Sequence, residues 1–258
     1  MLHQVKISLL NLGFFFIKQS LKSFNKYSGE LHILQIGAND GETDDFLKTI
    51  VRCKKNKSTL VEAVPAVFDR LVSNCKNYPN IRMVNKAVVS TNEPTKEFFY
   101  IDLPTGFEAK NDPSLLGSFS RETLAKYAYQ EHVVSKELPC ININSLMNAS
   151  TSRQLDIVLT DVEGYDYELI KAIDFNRHSP AIIIFENIHL SLSNMKHLLD
   201  LLQKQGYKVF SADKDSYCIH KNSLKYFTVP RILNSLVPKI FISKHFRKYK
   251  LKEGNNLG

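Results

Sequence analysis

The sequence is short of glycine, proline and cysteine. Its 258 residues include 10 Gly, 9 Pro and 4 Cys, beside an apolar content of 43%. These values exclude a collagen-like, low-complexity or disordered chain. The four cysteines form no C-x-x-C pair and lie far apart, at positions 53, 75, 140 and 218. Neither a zinc site nor a disulfide framework is therefore expected, and a reducing, cytoplasmic compartment fits best.

The apolar run near the start of the sequence is too short to cross a membrane. Residues 7–17 are mostly apolar but contain Asn11, whereas a spanning helix needs roughly 20 apolar residues. Lys18 follows directly, without a small-residue cleavage pattern, so no signal peptide is predicted. We expect the segment to be retained, either packed against the domain or lying on a membrane surface as an amphipathic helix.

Positive charge is concentrated at the two ends of the chain. The net charge is +8; residues 221–258 hold nine Lys or Arg and one acidic residue, and residues 1–29 hold four Lys and no acidic residue. The body between them is therefore mildly acidic, which argues against a nucleic-acid partner. Basic, partly apolar ends favour docking on an anionic lipid surface, with a solvated basic tail as the alternative.

The body alternates between short apolar runs and helical periods. Seven segments have the pattern of strands: Leu31–Ile36, Thr59–Val64, Ile81–Val89, Leu155–Asp161, Ala181–Glu186, Tyr207–Ser211 and Tyr217–His220. Helices are predicted at Asp44–Cys53, Pro65–Asn77, Tyr165–Ile173 and Leu192–Gln205. This order predicts an α/β fold with a mostly parallel sheet that is buried on both faces and binds ligands at the carboxyl ends of its strands.

Residues 90–150 interrupt this alternation. They are predicted to contain a strand over 96–101, a helix over 120–129 and a strand over 132–138. We interpret them as an insertion that either supplies substrate contacts or forms an edge hairpin with a structural role. The expected organisation is thus an N-terminal amphipathic segment over 1–29, a catalytic or binding body over 30–220 with this insertion, and a basic amphipathic tail over 221–258.

A glycine-containing turn and an acidic residue mark a candidate cofactor site. The first predicted strand leads into a turn that has neither the G-x-G-x-x-G spacing nor the Lys-Ser/Thr ending of a P-loop. Its residues are Gly37, Ala38, Asn39, Asp40 and Gly41. Glu62 ends the second predicted strand, where a carboxylate can accept hydrogen bonds from a ribose diol. Together they point to a cofactor that contains a nucleoside.

Titratable residues cluster after two later strands. Asp161, Glu163 and Asp166 follow the fourth predicted strand, and Asp166 is expected to stabilise the start of the next helix. Glu186 closes the strand at 181–186, and His189 follows three residues later. Since the carboxyl ends of parallel strands share one edge of a sheet, these groups are expected to converge.

Four motifs together resemble the FkbM family of S-adenosylmethionine-dependent methyltransferases. The resemblance covers roughly residues 31–220 and is carried by the segments 37–41, Val61-Glu62-Ala63, Asp161-Val162-Glu163-Gly164 and Ile183-Ile184-Phe185-Glu186. It implies a class I methyltransferase, Rossmann-like fold: a seven-stranded, mostly parallel sheet with an antiparallel last strand and helices on both faces. The family often has Lys where this chain has Thr160, and Glu where it has Asp166, changes that would affect substrate or metal preference.

The resemblance also implies roles for particular residues. The turn at Gly37–Gly41 would hold the methionine part of S-adenosylmethionine, and Glu62 its ribose. Further cofactor contacts are expected from Asn85, Lys86, Ala87, Ser118 and Asp161. The base that removes the acceptor proton would be one of Asp161, Glu163, Glu186 and His189, among which the sequence does not choose. If a metal takes part, Mg²⁺ would be held by Asp161, Glu163 and Glu186.

The expected function is O-methylation of a sugar hydroxyl in a surface glycan or its lipid-linked precursor. The sugar preference comes from the resemblance alone, and the basic ends suggest work at the inner face of the membrane. Methylation of a small molecule or a protein side chain is the first alternative. A membrane-associated binding module that has lost turnover is the second. The sequence does not predict the oligomeric state.

Overall fold

The computed structural model describes residues 18–43, 47–103, 112–126, 129–212 and 214–226. The expectations for residues 1–17 and 227–258 lie outside this part of the chain. Its strands are β1 His32–Ile36, β2 Lys57–Val61, β3 Ile81–Val84, β4 Ala87–Val89, β5 Thr95–Ile101, β6 Gly117–Ser118, β7 Val133–Asn142, β8 Ile157–Thr160, β9 Ile182–Glu186, β10 Tyr207–Ala212 and β11 Asp215–His220. Its helices are α1 over residues 18–27, α2 Lys48–Val51, α3 Pro65–Cys75, α4 Arg121–Leu124, α5 Ile143–Ser150, α6 Asp166–Ala172 and α7 Leu192–Lys204.

Seven strands form the central sheet, in the order β10-β11-β9-β8-β1-β2-β3. The five strands from β9 to β3 pair in parallel, whereas β11 is antiparallel to both of its neighbours. This arrangement confirms the predicted mostly parallel sheet with its antiparallel last strand. It places the carboxyl ends of β1, β2, β8 and β9 along one edge, where the ligands of such sheets bind.

The central sheet is buried on both faces because its strands are apolar throughout. Successive residues of a strand point to opposite faces, so Ile33 of β1 joins the hydrophobic cluster under α1 and α3, and Leu34 joins the cluster under α5, α6 and α7. Burial of each such side chain contributes roughly 1.5–3 kcal/mol. Leu21 and Phe24 of α1 are also buried in the first cluster, at 2% and 3% exposure, so this end of the N-terminal segment packs against the domain.

The strands β4, β5, β6 and β7 form a second sheet of four strands, in the order β4-β7-β5-β6. The prediction of one strand over 81–89 is wrong, because the chain leaves the central sheet after Val84 and enters the second sheet at Ala87. The Asn85 side chain makes this turn, since its amide donates to the carbonyl oxygens of Glu62 and Ala63, at 2.8 and 3.2 Å.

The helix predicted over 120–129 is shorter than expected. Ser120 caps α4 by accepting a hydrogen bond from the Thr123 N–H, and α4 ends at Leu124. Tyr129 has a φ of 74°, a left-handed conformation that cannot continue a helix. At the other end of the predicted insertion, α5 packs its Leu146 against the central sheet. Residues 143–150 therefore belong to the central layers.

Within the described ranges, no helix combines the length and apolarity that crossing a membrane requires.

Candidate functional site

A cavity of about 450 Å³ opens at the carboxyl ends of the central strands. One side is formed by the turn after β1 and the end of β2, and another by the loop after β8. The second sheet covers it from above. Residues with polar or chemically useful groups in its lining are Gln35, Gly37, Ala38, Asn39, Thr43, Glu62, Lys86, Asp112, Thr160, Asp161, Glu163, Lys214 and Asp215.

The turn after β1 depends on a glycine at position 37. Gly37 has a φ of 74°, and a Cβ atom there would lie 1.8 Å from the carbonyl oxygen of Asp161. Only glycine allows β1 and β8 to approach this closely. The N–H groups of Gly37 and Ala38 both donate to the Val61 carbonyl oxygen, at 3.0 and 2.9 Å. The turn is therefore tied by its backbone to the end of β2.

Glu62 is held by two backbone hydrogen bonds at the end of β2. One carboxylate oxygen accepts from the Asn39 N–H and the other from the Val64 N–H, both at 2.9 Å. The side chain lines the cavity but is only 7% exposed. Burial raises the pKa of Glu62 to about 7, although these hydrogen bonds favour the charged form. Each carboxylate oxygen keeps a further lone pair that can accept a hydroxyl hydrogen bond.

Asp40 and Gly41 shape the turn but are not part of the cavity lining. The Asp40 carboxylate accepts hydrogen bonds from the N–H groups of Glu42 and Thr43 and from the Thr43 hydroxyl. Burial opposes ionisation there, yet these bonds hold the pKa of Asp40 below its ordinary value. A Cβ at Gly41 would lie 2.8 Å from the Leu71 side chain. Both residues therefore support the residues that face the cavity.

Four of the five remaining cofactor-site predictions divide in the same way; the fifth, Asp161, lines the cavity and is described below with the acidic residues. Lys86 and Ala87 line the cavity. Asn85 does not, because its amide is bonded to backbone at the end of β2. The Ser118 hydroxyl is also outside the lining, since it donates to the Glu163 carbonyl oxygen at 2.8 Å and accepts from the Ser120 N–H. Asn85 and Ser118 therefore position loops.

Asp166 lies beneath the loop that follows β8. It is fully buried as the first residue of α6, and its carboxylate accepts a 2.6 Å hydrogen bond from the Thr160 hydroxyl. Burial and the charge of Asp161 raise the pKa of Asp166 to about 7. The Val162 N–H also approaches it, at 3.4 Å. These contacts fix the course of the loop that carries Asp161 and Glu163.

Three of the predicted catalytic side chains form a compact cluster. The His189 Nε2 atom lies 3.0 Å from Glu163 Oε2 and 3.6 Å from Glu186 Oε2. Glu163 lines the cavity, whereas Glu186 and His189 are not among its lining residues. Glu186 is 3% exposed; burial, reinforced by the Asp161 and Glu163 carboxylates, raises its pKa to about 9. We name Glu163, Glu186 and His189 the back-wall cluster.

Asp161 stands apart from this cluster and has a different partner. Its Oδ2 atom lies 3.3 Å from Lys214 Nζ, and the same ammonium lies 3.4 Å from Glu186 Oε1. Asp161 lines the cavity with about a third of its side chain exposed. Burial raises its pKa, with Lys214 acting against this and Glu163 adding to it. The expected metal group of Asp161, Glu163 and Glu186 thus differs from the group whose ligand atoms lie within 4.8 Å of one another, which contains His189 instead of Asp161.

Lys214 is a site residue that the sequence analysis missed. It lies in the hairpin between β10 and β11 and is brought to the cavity because β11 pairs with β9. Burial acts against its charge, but the carboxylates of Asp161 and Glu186 raise the pKa of Lys214. The one available signal was a lysine between the last two predicted strands, at the carboxyl edge of β10.

The second sheet contributes an apolar wall. Phe98 and Phe119 line the cavity and pack edge to face with ring centroids 5.1 Å apart. Phe119 also contacts the Tyr165 ring, at 4.7 Å. Arg70 of α3 pairs with Asp112 and hydrogen-bonds to Ser114, and so ties α3 to the segment that leads into this wall.

A protein-family model described as methyltransferase FkbM domain matches residues 35–209. Among solved structures, methyltransferase FkbM from Methylobacillus flagellatus is 11% identical, with a TM-score of 0.46 over 73% of this chain but only 43% of that one. Precorrin-6y C5,15-methyltransferase from Geobacter metallireducens is 14% identical, with a TM-score of 0.39 over 78% of this chain and 83% of that one.

A third similar structure is an O-methyltransferase from Bacillus cereus in complex with SAH. It is 10% identical, with a TM-score of 0.43 and coverage of 79% of each chain. The search of curated proteins finds no match to this sequence.

Proposed function

This chain belongs to the FkbM methyltransferase domain family, an S-adenosylmethionine-dependent class, and on that premise we propose that it methylates a hydroxyl oxygen of a sugar. The observation that carries the proposal is one cavity that joins the Glu62 carboxylate on one side to Asp161 and Glu163 on the other. The proposed nucleoside site and the proposed proton-accepting site would therefore share a single space of about 450 Å³.

The residues on the β1–β2 side fit the cofactor. Glu62 offers a fixed carboxylate for a ribose diol. Gln35 Oε1, which belongs to a cavity-lining residue, is buried and has no hydrogen-bond partner among the described residues, so it can accept a bond from a ligand. S-adenosylmethionine supplies a methyl group bound to a sulfonium leaving group. Gly37, Ala38 and Asn39 would hold its methionine part, and Lys86 and Ala87 its adenine.

Asp161 is the proposed proton acceptor. Of the four candidates, Asp161 and Glu163 line the cavity, and Glu163 is engaged by the His189 imidazole. A carboxylate whose pKa is raised is a better base near neutral pH than an ordinary one, and burial raises the pKa of Asp161. Lys214 holds the Asp161 side chain at the cavity edge. As the acceptor oxygen is methylated, its proton passes to the Asp161 carboxylate.

A sugar is favoured as the acceptor because the cavity combines charged hydrogen-bonding groups with an aromatic wall. Asp161, Glu163 and Lys214 can bond hydroxyl groups, while Phe98 and Phe119 line the cavity with apolar surface that suits C–H groups. The proposed acceptor is a surface glycan or its lipid-linked precursor. Mg²⁺ is not part of the proposed reaction, because the group of closely spaced ligand atoms contains an imidazole nitrogen, which that ion disfavours.

Titration with S-adenosylmethionine tests the cofactor site. Glu62→Gln keeps the shape of the side chain but presents an NH₂ group to one of two backbone donors and removes the charge. Loss of a charge-assisted hydrogen bond costs about 1.5–3 kcal/mol, so we expect binding to weaken by about 10- to 100-fold in calorimetry. Glu97→Gln, on exposed β5 surface, is the matched control. Equal affinities of wild type and Glu62→Gln would remove the ribose assignment.

Mass spectrometry of glycans from cells with and without the gene tests the acceptor. The proposal expects one methyl group on a defined sugar to disappear when the gene is removed. If glycans are unchanged, incubation of the protein with a panel of small molecules and peptides distinguishes the other acceptors. Formation of S-adenosylhomocysteine in any of these reactions would exclude an inactive binding module.

We also propose that the protein works in the cytoplasm, peripheral to the inner face of the membrane and without a nucleic-acid partner. The support is the nine basic residues against one acid over 221–258. Neutralising Lys248, Lys250 and Lys252 to Gln should weaken sedimentation with anionic liposomes by up to about 100-fold, because each lysine is worth about 1 kcal/mol at such a surface. Equal pelleting of both proteins would contradict a tail anchor.

A further inference from the structure

We propose that Glu163, Glu186 and His189, the back-wall cluster, bind a divalent transition-metal ion at the edge of the acceptor side of the cavity. The ligand atoms would be one carboxylate oxygen of each glutamate and the Nε2 atom of the histidine. These three atoms lie within 4.8 Å of one another, and they come from the loop after β8, the end of β9 and the turn that precedes α7.

The spacing of the cluster matches a coordination sphere. Metal–ligand bonds of about 2.1 Å place neighbouring ligands roughly 3.0 Å apart in octahedral geometry and 3.4 Å apart in tetrahedral geometry. The His189 Nε2 atom lies 3.0 Å from Glu163 Oε2 and 3.6 Å from Glu186 Oε2. Small movements of these side chains would therefore bring the three atoms around one ion.

Glu186 provides an independent sign that a ligand belongs here. Its side chain is 3% exposed, and its Oε2 atom, which faces His189, has no hydrogen-bond partner among the described residues. A buried carboxylate oxygen without a partner costs free energy. The other oxygen, Oε1, lies 3.4 Å from Lys214 Nζ, so the ammonium balances charge on one side and leaves Oε2 to the ion.

The donor set selects the class of metal. Imidazole suits Zn²⁺, Fe²⁺ and other transition ions, and carboxylates suit Mn²⁺ and the harder ions. One imidazole with two carboxylates therefore favours Mn²⁺, Fe²⁺ or Zn²⁺ over Mg²⁺ and Ca²⁺. Lys214 lies on the opposite side of Glu186 and pairs with Asp161, which explains why Asp161 is outside the group.

The cluster reaches the cavity through Glu163, the one of its three members that lines it. An ion bound there has coordination positions that no protein ligand fills, and a sugar hydroxyl can occupy one of them. A bound cation lowers the pKa of a coordinated hydroxyl, and Asp161, which is not a ligand, accepts its proton. This role rests on the proposed methyl transfer, whereas binding of the metal does not.

Titration of the full chain with Mn²⁺, without cofactor or acceptor, tests the site by electron paramagnetic resonance, in which bound Mn²⁺ loses the signal of the free ion. Glu186→Gln and His189→Gln should each weaken binding more than tenfold, since substitutions even outside the ligand shell cost 10- to 100-fold. Glu168→Gln, a half-exposed α6 carboxylate paired with Lys171, is the control and should bind as wild type does. Mg²⁺ at the same concentration should not displace Mn²⁺.

Wild-type binding that Glu186→Gln and His189→Gln leave unchanged, or no Mn²⁺ or Zn²⁺ binding at all, would overturn the metal site. If either variant fails to fold by circular dichroism, Glu163→Gln, whose side chain reaches the cavity, replaces it. S-adenosylmethionine titration of the same samples keeps the two proposals separate. Cofactor binding without metal binding refutes only the metal site, and metal binding without cofactor binding refutes only the proposed methyl transfer.

Discussion

The two sides of the cavity are built in different ways. On the cofactor side, the Glu62 carboxylate is satisfied by two backbone N–H groups, and the turn is tied to β2 by its own backbone. On the acceptor side, Lys214 lies between the carboxylates of Asp161 and Glu186, and His189 lies between those of Glu163 and Glu186. Hydrogen bonds from backbone N–H groups favour the ionised state of the Glu62 carboxylate. Crowded carboxylates instead make proton or cation uptake favourable, because each charge raises the cost of the next.

The largest expected effect comes from the acceptor side. Asp161→Asn preserves the shape of the side chain but cannot take a proton, so kcat should fall by roughly 10²- to 10⁴-fold. The affinity for S-adenosylmethionine should change little, because Asp161 is placed against the acceptor. Steady-state kinetics and calorimetry on the same sample measure both. A variant that loses cofactor affinity while keeping kcat would assign Asp161 to the cofactor side and break the comparison.

Substitution of Gly37, in the turn on the cofactor side, should lower the stability of the folded protein. At position 37 the Cβ of Gly37→Ala would lie 1.8 Å from the Asp161 carbonyl oxygen, in a residue whose φ is 74°. The left-handed backbone alone costs about 1–3 kcal/mol, and the clash adds to it, so the Tm should fall by several degrees. Gly29→Ala is the matched control, because nothing lies within 4 Å of a Cβ there. Equal Tm values for the two variants would show that β1 and β8 can separate at no cost.

The smallest expected effect concerns pH and sharpens the contrast between the loop and its support. The pKa of Asp166 is about 7 in the folded protein, raised by burial from an ordinary 3.8. The folded state therefore binds more protons than the unfolded state in this interval, and the free energy of unfolding falls as pH rises from about 4 to 7. Asp166→Asn, which can still accept the Thr160 hydrogen bond, should make the curve of Tm against pH less steep here, while Glu62, whose pKa is also about 7, keeps part of the slope. An unchanged curve would show that Asp166 remains ionised throughout.

The residues that the sequence could assign are those whose role follows from local backbone. Gly37 and Glu62 stand at strand ends, which can be located from apolar runs, and both residues line the cavity. Asn85 and Ser118 were predicted to touch the cofactor, but their side chains bond to neighbouring backbone instead. A short polar side chain can hydrogen-bond to a nearby backbone group instead of a ligand. The amino-acid sequence does not show which backbone groups lie near that side chain in the fold.

The structure describes part of the N-terminal segment, residues 18–29, but does not describe residues 227–258 of the C-terminal tail. Leu21 and Phe24 of α1 are buried in the central core. The spacing of the apolar residues was compatible with this packing and equally with a helix lying on a membrane surface. Both environments bury one apolar face of a helix, and periodicity alone does not distinguish them. The docking of residues 227–258 on lipid stays a prediction.

By itself, the sequence determined the α/β class, the seven central strands, the glycine turn and the convergence of acids at one edge, because apolar periodicity and strand ends are local properties. Only the tertiary structure decided that Lys214 enters the site, that His189 pairs with Glu163 and that Asp161 stays outside the cluster. These contacts follow from the order β11-β9-β8-β1, which places residues 161, 186 and 214 side by side. Coulomb forces between such groups depend on their distance in space. The separation of two residues along the chain does not give that distance.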